Sequence, residues 1–383
     1  MFKRFCGAAD ALDVLIRRSQ PLQRTELLET LLGEGRILSQ DIFSPLSLPG
    51  FDRAAMDGFA VRSEETKGAR PHAPVFLERF EPVRTGMPVP AQYDAVVMLE
   101  DSILRGGILE TTAQLHPFKN VSRIGEDIAA GEKIFSRGHT LRPPDLSLLS
   151  ALAIEQVEVY QRPKVAIIPT GGELLDIGSR PLQPGEAYEI NSIMARLYAQ
   201  KWGASVHKTD IIPDDEDLIR EAIAANQKAD LIIIIGGTSV GEKDYVPRIL
   251  AEMGELLVHG VRLQPGKPTA IGFVAEKPVV CLPGYPVAML FDLYLFVRPA
   301  LLRIGNRCDP QPKVRAALTR KIPSRPGYLS LVRVVLQGEQ AEPIMISGAG
   351  ILSSVARADG FVLVSEAKEG LEAGETVDVF IFE

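Results

Sequence analysis

The chain has 383 residues and a formal net charge of −7, from 42 basic and 49 acidic residues. A chain of this length is too long for one ordinary hydrophobic core, so we expect two to four domains. Its apolar fraction of 46% and charged fraction of 24% are those of a globular protein. The acidic balance argues against nonspecific nucleic-acid binding, which needs a basic surface, but it leaves room for a small anionic ligand.

The cysteines and the N-terminus indicate the compartment to expect. Cys6, Cys281 and Cys308 form no Cys-x-x-Cys pair, which argues against a zinc site and fits a reducing compartment. Asp10 and Asp13 interrupt the N-terminal apolar residues, which favours an amphipathic helix over a signal peptide. Because no run of about 18 apolar residues occurs, we expect no membrane span and a cytoplasmic protein.

The N-terminal residues have the apolar spacing of helices. Residues 8–19 and 25–42 are predicted to form two helices, although glycines interrupt the second. A third helix is predicted to begin at Pro143. We expect these helices to pack as one discontinuous helical domain, made of residues 1–44 and 143–162.

Residues 45–142 change to short alternating runs separated by proline-rich turns, which predicts a small β domain inserted into the helical one. Its predicted strands include Ala95–Leu99, Ile108–Thr112 and Lys133–Phe135.

Residues 163–307 alternate between strand and helix patterns, which predicts a mostly parallel, three-layer α/β domain. The predicted strands are Val165–Pro169, Ser205–Ile212, Leu231–Ile235 and Val279–Leu282. The predicted helices are Ile190–Trp202, Asp214–Asn226, Tyr245–Met253 and Leu290–Arg303. Residues 308–383 lose the helical period and are predicted to form a C-terminal β domain, with strands at Val332–Leu336, Gly360–Val364 and Thr376–Phe382.

The run LIIIIGGTSVGEKDY, from Leu231 to Tyr245, is the most informative stretch of the chain. A strand, a glycine loop and a helix in this order present backbone N–H groups to an anion at the carboxyl end of a strand. The carboxylates of Glu242 and Asp244 beside that anion indicate a bridging hard cation such as Mg²⁺. The alternative is an ordinary tight turn in which Asp244 caps the helix, since neither the GxxxxGK(S/T) nor the GxGxxG spacing is present.

A second loop of the same kind, Pro169–Leu174, follows another predicted strand. Thr170 and the glycines after it can line an anion pocket, and Glu173 can hold a metal or a polar edge, although many such loops are only turns. Because both loops follow strands of one sheet, we expect them to open onto the same crevice.

Two Pro-Gly turns in the same domain can contribute a charge and a rigid wall. Lys267, in the turn Pro265–Pro268, is a point charge suited to a phosphate or an oxyanion, although most single lysines are merely solvated. Prolines on both sides of Gly284 restrict its backbone, as a pocket wall requires.

The remaining candidates are carboxylates and a hydroxyl on loops. Asp214 precedes a predicted helix, so helix capping and a functional role are both open for it. Asp57, Thr85 and Asp127 lie on turns of the predicted β insertion, which is the usual place for binding residues but also for plain turns. The histidines have no ligand spacing, and no catalytic-triad or kinase signature is present.

Eight motifs in order make the whole chain resemble the MoeA-type molybdopterin molybdenumtransferases, the family that includes the gephyrin E domain. The motifs are PGFDRAAMDGFAVR, TGMPVP, AVVMLED, RIGEDI, PTGGEL, the Leu231–Tyr245 run, LQPGKP and LPGYPVA. The resemblance implies four domains, with a molybdopterin-binding-like α/β domain, and a homodimer. It implies insertion of molybdate into adenylylated molybdopterin with release of AMP, assisted by Mg²⁺. Molybdopterin adenylyltransferase and molybdoenzymes or their chaperones are the transient partners that it implies.

The resemblance also implies roles for particular residues. The functional positions of the family correspond here to Asp57, Thr85, Asp127, Glu173, Asp214 and Asp244. Glu173 and Asp244 are the expected metal ligands. The expected substrate-binding residues are Thr170, Gly171, Gly236, Gly237, Ser239, Gly241, Arg262, Lys267, Pro283, Gly284 and Pro286. The family's active site lies between the α/β domain of one subunit and the small β domain of the other.

Four positions depart from the family pattern. Gly260 and Gln264 stand where some members have lysines, with Arg262 between them as a possible source of charge. Gly172 stands where many members have Asp, and Tyr285 where many have Asn. These differences bear on oxyanion affinity and on the choice between molybdate and tungstate.

Two other functions stay open at this point. The first is adenylylation of molybdopterin by ATP, which a related family with the same α/β fold performs and against which the flanking β domains count. The second is a molybdopterin-binding or scaffolding protein without activity, against which the retained acidic positions count.

Overall fold

The computed structural model describes residues 5–237, 245–345 and 348–383. The chain divides into two compact units, one made of Met1–Glu26 with Tyr160–Glu383 and the other of Leu27–Val159. The finer division into four domains stays a prediction. Within the described segments, no helix has the length and hydropathy needed to cross a bilayer.

The larger unit is built on a six-stranded sheet. In spatial order its strands are Ser205–Lys208, Lys164–Pro169, Leu231–Ile235, Lys277–Leu282, Ala270–Val274 and Glu255–His259. The first four are parallel and the last two antiparallel. Every residue of Leu231–Ile235 is buried, as a continuous apolar run in a sheet covered on both faces requires. The predicted mostly parallel sheet is confirmed, although its edge strand ends at Lys208 and not at Ile212.

Helices cover both faces of this sheet, and alternate strand residues point into two separate cores. Ile167 and Ile233 belong to one core, while Ile168 and Ile234 belong to the other. The helices of this unit are Ala8–Arg18, Asn191–Lys201, Glu216–Ala225, Tyr245–Met253, Pro286–Asp292, Arg298–Ile304 and Leu352–Ala356. A π-helical turn, Leu293–Val297, joins the two helices before and after it into the long helix that the sequence predicts.

The C-terminal strands close into a small barrel, as the prediction of a β domain requires. Its strands are Lys313–Leu318, Leu329–Gln337, Gln340–Met345, Gly360–Val364 and Thr376–Ile381. The ring closes because Leu329–Gln337 pairs with both Gln340–Met345 and Gly360–Val364. Three further short pairings occur in this unit. Leu263–Gln264 pairs with Leu329 and Ser330, Ile322–Pro323 pairs with Gly370–Leu371, and Leu174–Leu175 pairs with Ala187–Tyr188.

The smaller unit consists mainly of short antiparallel strands. One sheet has the order Glu81–Val83, Gly58–Val61, Ala95–Met98, and another has the order Val75–Leu77, Ile108–Thr111, Ser102–Arg105. Two further pairs are Arg53–Ala54 with Val121–Ser122 and Ile42–Phe43 with Lys133–Phe135. The helix Pro143–Ala151 follows them. The predicted strands near residues 95, 108 and 133 and the helix at Pro143 are confirmed.

The predicted helix over residues 25–42 is wrong. Thr25–Glu29 is a strand that pairs with Gln156–Tyr160, and a single 3₁₀ turn, Thr30–Leu32, follows it. Gly35 then adopts a φ of +68°, which no helix continues. Leu31 and Leu32 are 76% and 65% exposed, so the leucine spacing that suggested a helix does not mark a buried face.

Candidate functional site

Three loops leave the same edge of the six-stranded sheet. Pro169 and Ile235 are in register at the ends of neighbouring parallel strands. The backbone N–H of Thr170 donates to the carbonyl oxygen of Ile235 at 2.8 Å. The next loop is tied in the same way, because Gly236 N–H donates to the Leu282 carbonyl at 3.0 Å. The two glycine loops therefore leave the same sheet edge, at the carboxyl ends of neighbouring strands, and the crevice between them stays a prediction.

Glycine is required where these loops touch. Gly236 has a φ of +99°, and a Cβ there would lie 2.5 Å from the Thr170 carbonyl oxygen. Gly237 has a φ of +64°, and a Cβ there would lie 2.6 Å from Cγ2 of Val246. Gly236 thus lets the two loop backbones approach each other closely, and Gly237 leaves room for the side chain of Val246. Of the predicted site residues, Ser239, Gly241 and Asp244 lie outside the described part of the chain.

The Glu173 loop and the Asp214 loop are hydrogen-bonded to each other. Gly171 N–H donates to the Ile212 carbonyl at 3.1 Å, and Thr170 and Ile212 form a parallel bridge. The Glu173 side chain is exposed, and in the described structure its carboxylate accepts no hydrogen bond. Both carboxylate oxygens lie 3.1 Å from where a Cβ on Gly171 would be, so the acid folds back over its own glycine turn.

Asp214 does not cap the following helix. The N-cap of Glu216–Ala225 is Asp215, whose Oδ1 accepts from the backbone N–H groups of Asp217 and Leu218, both at 3.0 Å. Of the two alternatives left open for Asp214, helix capping is therefore excluded, because the cap that holds its side chain over the second and third helical N–H groups is Asp215. Asp214 itself is exposed, and its carboxylate has no partner among the described residues.

Asn191 is a polar residue of this edge that sequence reasoning missed. Its Nδ2 donates to the carbonyl oxygen of Gly284 at 2.6 Å and so holds the Pro-Gly turn after the strand Lys277–Leu282. Its Oδ1 is buried without a partner in the described structure. Asn191 is the first residue of an 11-residue helix, and that position was the only signal in the sequence.

Lys267 shares an aromatic ring with a second cation, Arg325, from the C-terminal β region. Its Nζ is 4.8 Å from the ring centre of Tyr328, and the guanidinium carbon of Arg325 is 5.2 Å from the same ring. Arg325 also lines a cavity of about 240 Å³, whose other lining residues are Gln264, Pro323, Ser324, Ser330, Leu331 and Val332. Hydroxyls and a guanidinium in one small cavity suit an oxyanion. Arg325, Ser324 and Ser330 were not predicted, because the barrel fold brings them there.

Arg262 has other partners. Its Nη1 donates to the Phe5 carbonyl at 3.2 Å, and its Nη2 lies 3.5 Å from a carboxylate oxygen of Glu366. Its charge is therefore largely engaged within the protein, and its predicted role in substrate binding stays a prediction.

In the smaller unit, Asp57 and Thr85 are in direct contact. Both the backbone N–H and the hydroxyl of Thr85 donate to Oδ1 of Asp57, at 2.7 and 2.9 Å. The backbone hydrogen bond, and then the hydroxyl, lower the pKa of the Asp57 carboxyl, which stays exposed. Asp127 is also exposed, on a loop whose backbone is tied to the Leu48 carbonyl at 3.0 Å. Among the described residues, no hydrogen bond or ion pair joins it to Asp57 or Thr85.

Of the two predicted metal ligands, Glu173 lies in the described part of the chain and Asp244 lies outside it. Within residues 5–237, 245–345 and 348–383, no three acidic, His or Cys side chains cluster closely enough to hold an ion. Glu173 nevertheless offers an exposed carboxylate without internal hydrogen bonds, which is the donor type that Mg²⁺ takes.

Known families account for nearly the whole chain. Residues 7–153 match the MoeA N-terminal region (domain I and II), residues 166–303 match a probable molybdopterin binding domain, and residues 315–382 match the MoeA C-terminal region (domain IV).

Similar full-length proteins have related names. A putative molybdopterin biosynthesis protein of Methanocaldococcus jannaschii is 34% identical over 97% of this chain and 95% of its own length. A molybdopterin molybdenumtransferase of Haemophilus influenzae is 31% identical over 93% of both chains. A crystal structure of a molybdopterin biosynthesis MoeA protein from Pyrococcus horikoshii OT3 superposes with a TM-score of 0.84 at 30% identity, covering 99% of this chain and 100% of that one.

Proposed function

This chain belongs to the MoeA family, and we propose that it is a molybdopterin molybdenumtransferase. It inserts molybdate into adenylylated molybdopterin, releases AMP, and so completes the molybdenum cofactor. The observation that carries this proposal is the meeting of three glycine or proline loops at one sheet edge. A cavity lined by Arg325 and serines adds a cation and hydroxyls of the kind that a phosphate or an oxyanion needs.

The chain's residues divide the work by their chemistry. We assign anion binding to the loops that follow Pro169 and Ile235. The N–H groups of Thr170, Gly171 and Gly236 are bonded within the protein, so Gly172, where a Cβ would meet nothing within 4 Å, is the position that leaves room for a phosphate. Lys267 and Arg325 offset negative charge as molybdate approaches the phosphoanhydride. The carboxylates assigned to the reaction are Asp57, Asp127, Glu173, Asp214 and Asp244, with Thr85 as the hydroxyl that holds Asp57.

Mg²⁺ would be held by Glu173 together with Asp244. When bound, it would act as a Lewis acid on the phosphoanhydride. The carboxylate of Glu173, which accepts no hydrogen bond in the described structure, supports this assignment. The Mg²⁺ affinity measured by calorimetry should fall in Glu173→Gln. It should stay unchanged in the control Glu221→Gln, which alters an exposed acid on the helix Glu216–Ala225. Equal affinities in both variants would remove Glu173 from the metal site.

Anaerobic turnover tests the function itself. The purified chain is incubated with adenylylated molybdopterin and Mg²⁺, with molybdate, with tungstate or with neither, and AMP release is followed. Release that depends on the oxyanion is expected. Release of pyrophosphate from ATP and molybdopterin would indicate the adenylyltransferase, and binding without any release would indicate a scaffold. Either outcome would refute the proposal.

We further propose a homodimer whose subunits share each active site. Its support is that the assigned acids come from both compact units, Asp57 from the smaller and Glu173 from the larger. Mixing Asp57→Asn with Glu173→Gln chains after dissociation should restore part of the turnover, since some sites would then combine two intact halves. Mixtures no more active than either variant would contradict a shared site.

Cellular context completes the proposal. We propose a cytoplasmic location. Transient contact with molybdopterin adenylyltransferase would supply the substrate, and transient contact with molybdoenzymes or their chaperones would take up the product. Co-purification of the tagged chain with these proteins is the corresponding measurement.

A further inference from the structure

Asp292 is a buried acid that the proposed reaction does not use. It ends the helix Pro286–Asp292 and is 0% exposed. Its Oδ2 lies 2.5 Å from the Thr269 hydroxyl, and its Oδ1 has no hydrogen-bond partner in the described structure. A carboxylate buried with one hydroxyl and no cation would lose its hydration without compensation.

The hydrogen-bond arrangement indicates a neutral acid. Thr269 Oγ1 is within hydrogen-bond distance of two oxygens, Asp292 Oδ2 and the Gly266 carbonyl at 2.7 Å. A hydroxyl has only one hydrogen to donate, and the Gly266 carbonyl can only accept. Both contacts are satisfied together when the carboxyl of Asp292 donates to Thr269 and the hydroxyl of Thr269 donates to Gly266.

Electrostatics agree with this arrangement. Burial raises the pKa of Asp292 well above its ordinary 3.8, and the hydrogen bond with Thr269 is the single opposing influence. Among the described residues, no charged side chain contributes to the shift. Lys267 is the one charged residue of the loop Gln264–Thr269, and its ammonium lies over the ring of Tyr328.

The acid lies directly beneath that loop. Gly266 has a φ of +125°, and a Cβ there would lie 2.6 Å from Asp292 Oδ1. The loop begins at Gln264, which lines the 240 Å³ cavity, and continues to Lys267, which shares the ring of Tyr328 with Arg325 of the cavity lining. A shift of the loop would therefore move one residue that lines the cavity and one cation next to Arg325.

We propose that Asp292 is a positioning residue whose neutral carboxyl, through Thr269, holds the loop Gln264–Thr269 so that Gln264 stays in the cavity lining and Lys267 stays over the ring of Tyr328, beside Arg325. The assignment rests on the proposed function in one respect, that the cavity takes an oxyanion. Asp292 itself does not touch the substrate.

The protonation state is tested without any substrate. Unfolded Asp292 releases its proton above pH 3.8, whereas the buried acid keeps it, so wild-type stability falls relative to Asp292→Asn as pH rises from 4 to 8. The amide keeps a donor towards Thr269 but cannot ionise. The melting temperatures of wild type and Asp292→Asn should be closest near pH 4. Towards pH 8 the melting temperature of wild type should fall relative to that of Asp292→Asn. A difference that stays constant over this range would overturn the neutral acid.

The positioning role is tested by molybdate binding, measured by calorimetry on the full-length chain. Thr269→Val removes the hydroxyl at nearly constant volume and should weaken molybdate binding about 10-fold, the effect of breaking a buried hydrogen bond. Thr269→Ser restores the hydroxyl and should stay within about 3-fold of wild type, as should Asp292→Asn. Thr269→Val with a lower melting temperature but unchanged affinity would reduce the contact to a structural one and overturn the proposal.

Lys267→Ala separates the two proposals. If it weakens molybdate binding while Thr269→Val does not, the cavity is an oxyanion site and the positioning role fails. If the wild-type chain binds no molybdate, or Lys267→Ala binds as well as wild type, the oxyanion role of the cavity fails and the positioning role fails with it. The pH experiment on Asp292 retains its meaning in either case.

Discussion

The sheet edge of the larger unit and the Asp57 loop of the smaller unit hold candidate functional groups in different ways. At the sheet edge the loops meet through their backbones, and a Cβ on Gly236 would lie 2.5 Å from the Thr170 carbonyl oxygen. At the Asp57 loop an exposed carboxylate is held by two hydrogen bonds from Thr85. Substitutions should therefore affect mainly folding at the first region and mainly chemistry at the second.

The largest effect is expected at the second region. Asp57→Asn should lower AMP release by roughly 1,000-fold, within the range for a lost charged catalytic group, while the melting temperature stays near that of wild type. Glu78→Gln, which changes another exposed acid of the same unit, is the matched control and should be fully active. A large drop in melting temperature for Asp57→Asn would contradict the contrast between the regions.

The next largest effect is expected on stability at the sheet edge. Gly236→Ala forces a non-glycine residue to φ +99° and into the Thr170 carbonyl, which should cost about 3 kcal/mol in the free energy of unfolding. Gly172→Ala, where a Cβ would meet nothing within 4 Å, should change it by less than about 0.5 kcal/mol. Denaturant unfolding of both chains measures the difference. Equal stabilities would mean that the two loops can separate freely.

A smaller effect, on stability and dependent on pH, is expected at Asp145 in the smaller unit. Burial alone would raise the pKa of this acid, but hydrogen bonds from Arg142 and His139 hold it at about 2. Since its ordinary pKa is 3.8, the contact stabilises the fold above that pH and the contribution disappears as pH falls through about 2. Asp145→Asn should lower the free energy of unfolding by roughly 1–2 kcal/mol at pH 7, after allowance for the exposed Arg142.

Unfolding measured at pH 7 and at pH 3 checks this sign. The gap between wild type and Asp145→Asn should narrow at the lower pH. A gap that widens on acidification would show that another group controls this contact.

The smallest effect is expected at Thr85. Thr85→Val removes the hydroxyl donor but keeps the backbone N–H, which is the larger cause of the lowered pKa of Asp57. AMP release should therefore fall only about 3- to 10-fold, the range for one net hydrogen bond, and Thr85→Ser should restore it. A loss as large as that of Asp57→Asn would instead assign Thr85 a direct part in the reaction.

Sequence reasoning was accurate where local pattern and tertiary packing agree. The run Leu231–Ile235 is apolar at every position and is buried at every position, so its strand could be predicted from the residues alone. It failed at residues 25–42, where leucine spacing favours a helix but a strand more than a hundred residues later pairs with Thr25–Glu29. It could not decide whether Asp214 caps the following helix, because Asp214 and Asp215 have the same local propensity, and the cap is Asp215.

The sequence by itself determined the alternation of strand and helix, the glycine loops and the family to which the chain belongs. These follow from local residue order, because a double glycine directly after a buried strand is typical of a tight loop at the carboxyl end of that strand. Only the tertiary structure decided that Asn191 holds the Gly284 turn, that Arg325 joins Lys267, and that Asp292 lies beneath Gly266. Each of these contacts joins residues that no local pattern links, and burial and hydrogen bonding select them only after the chain has closed.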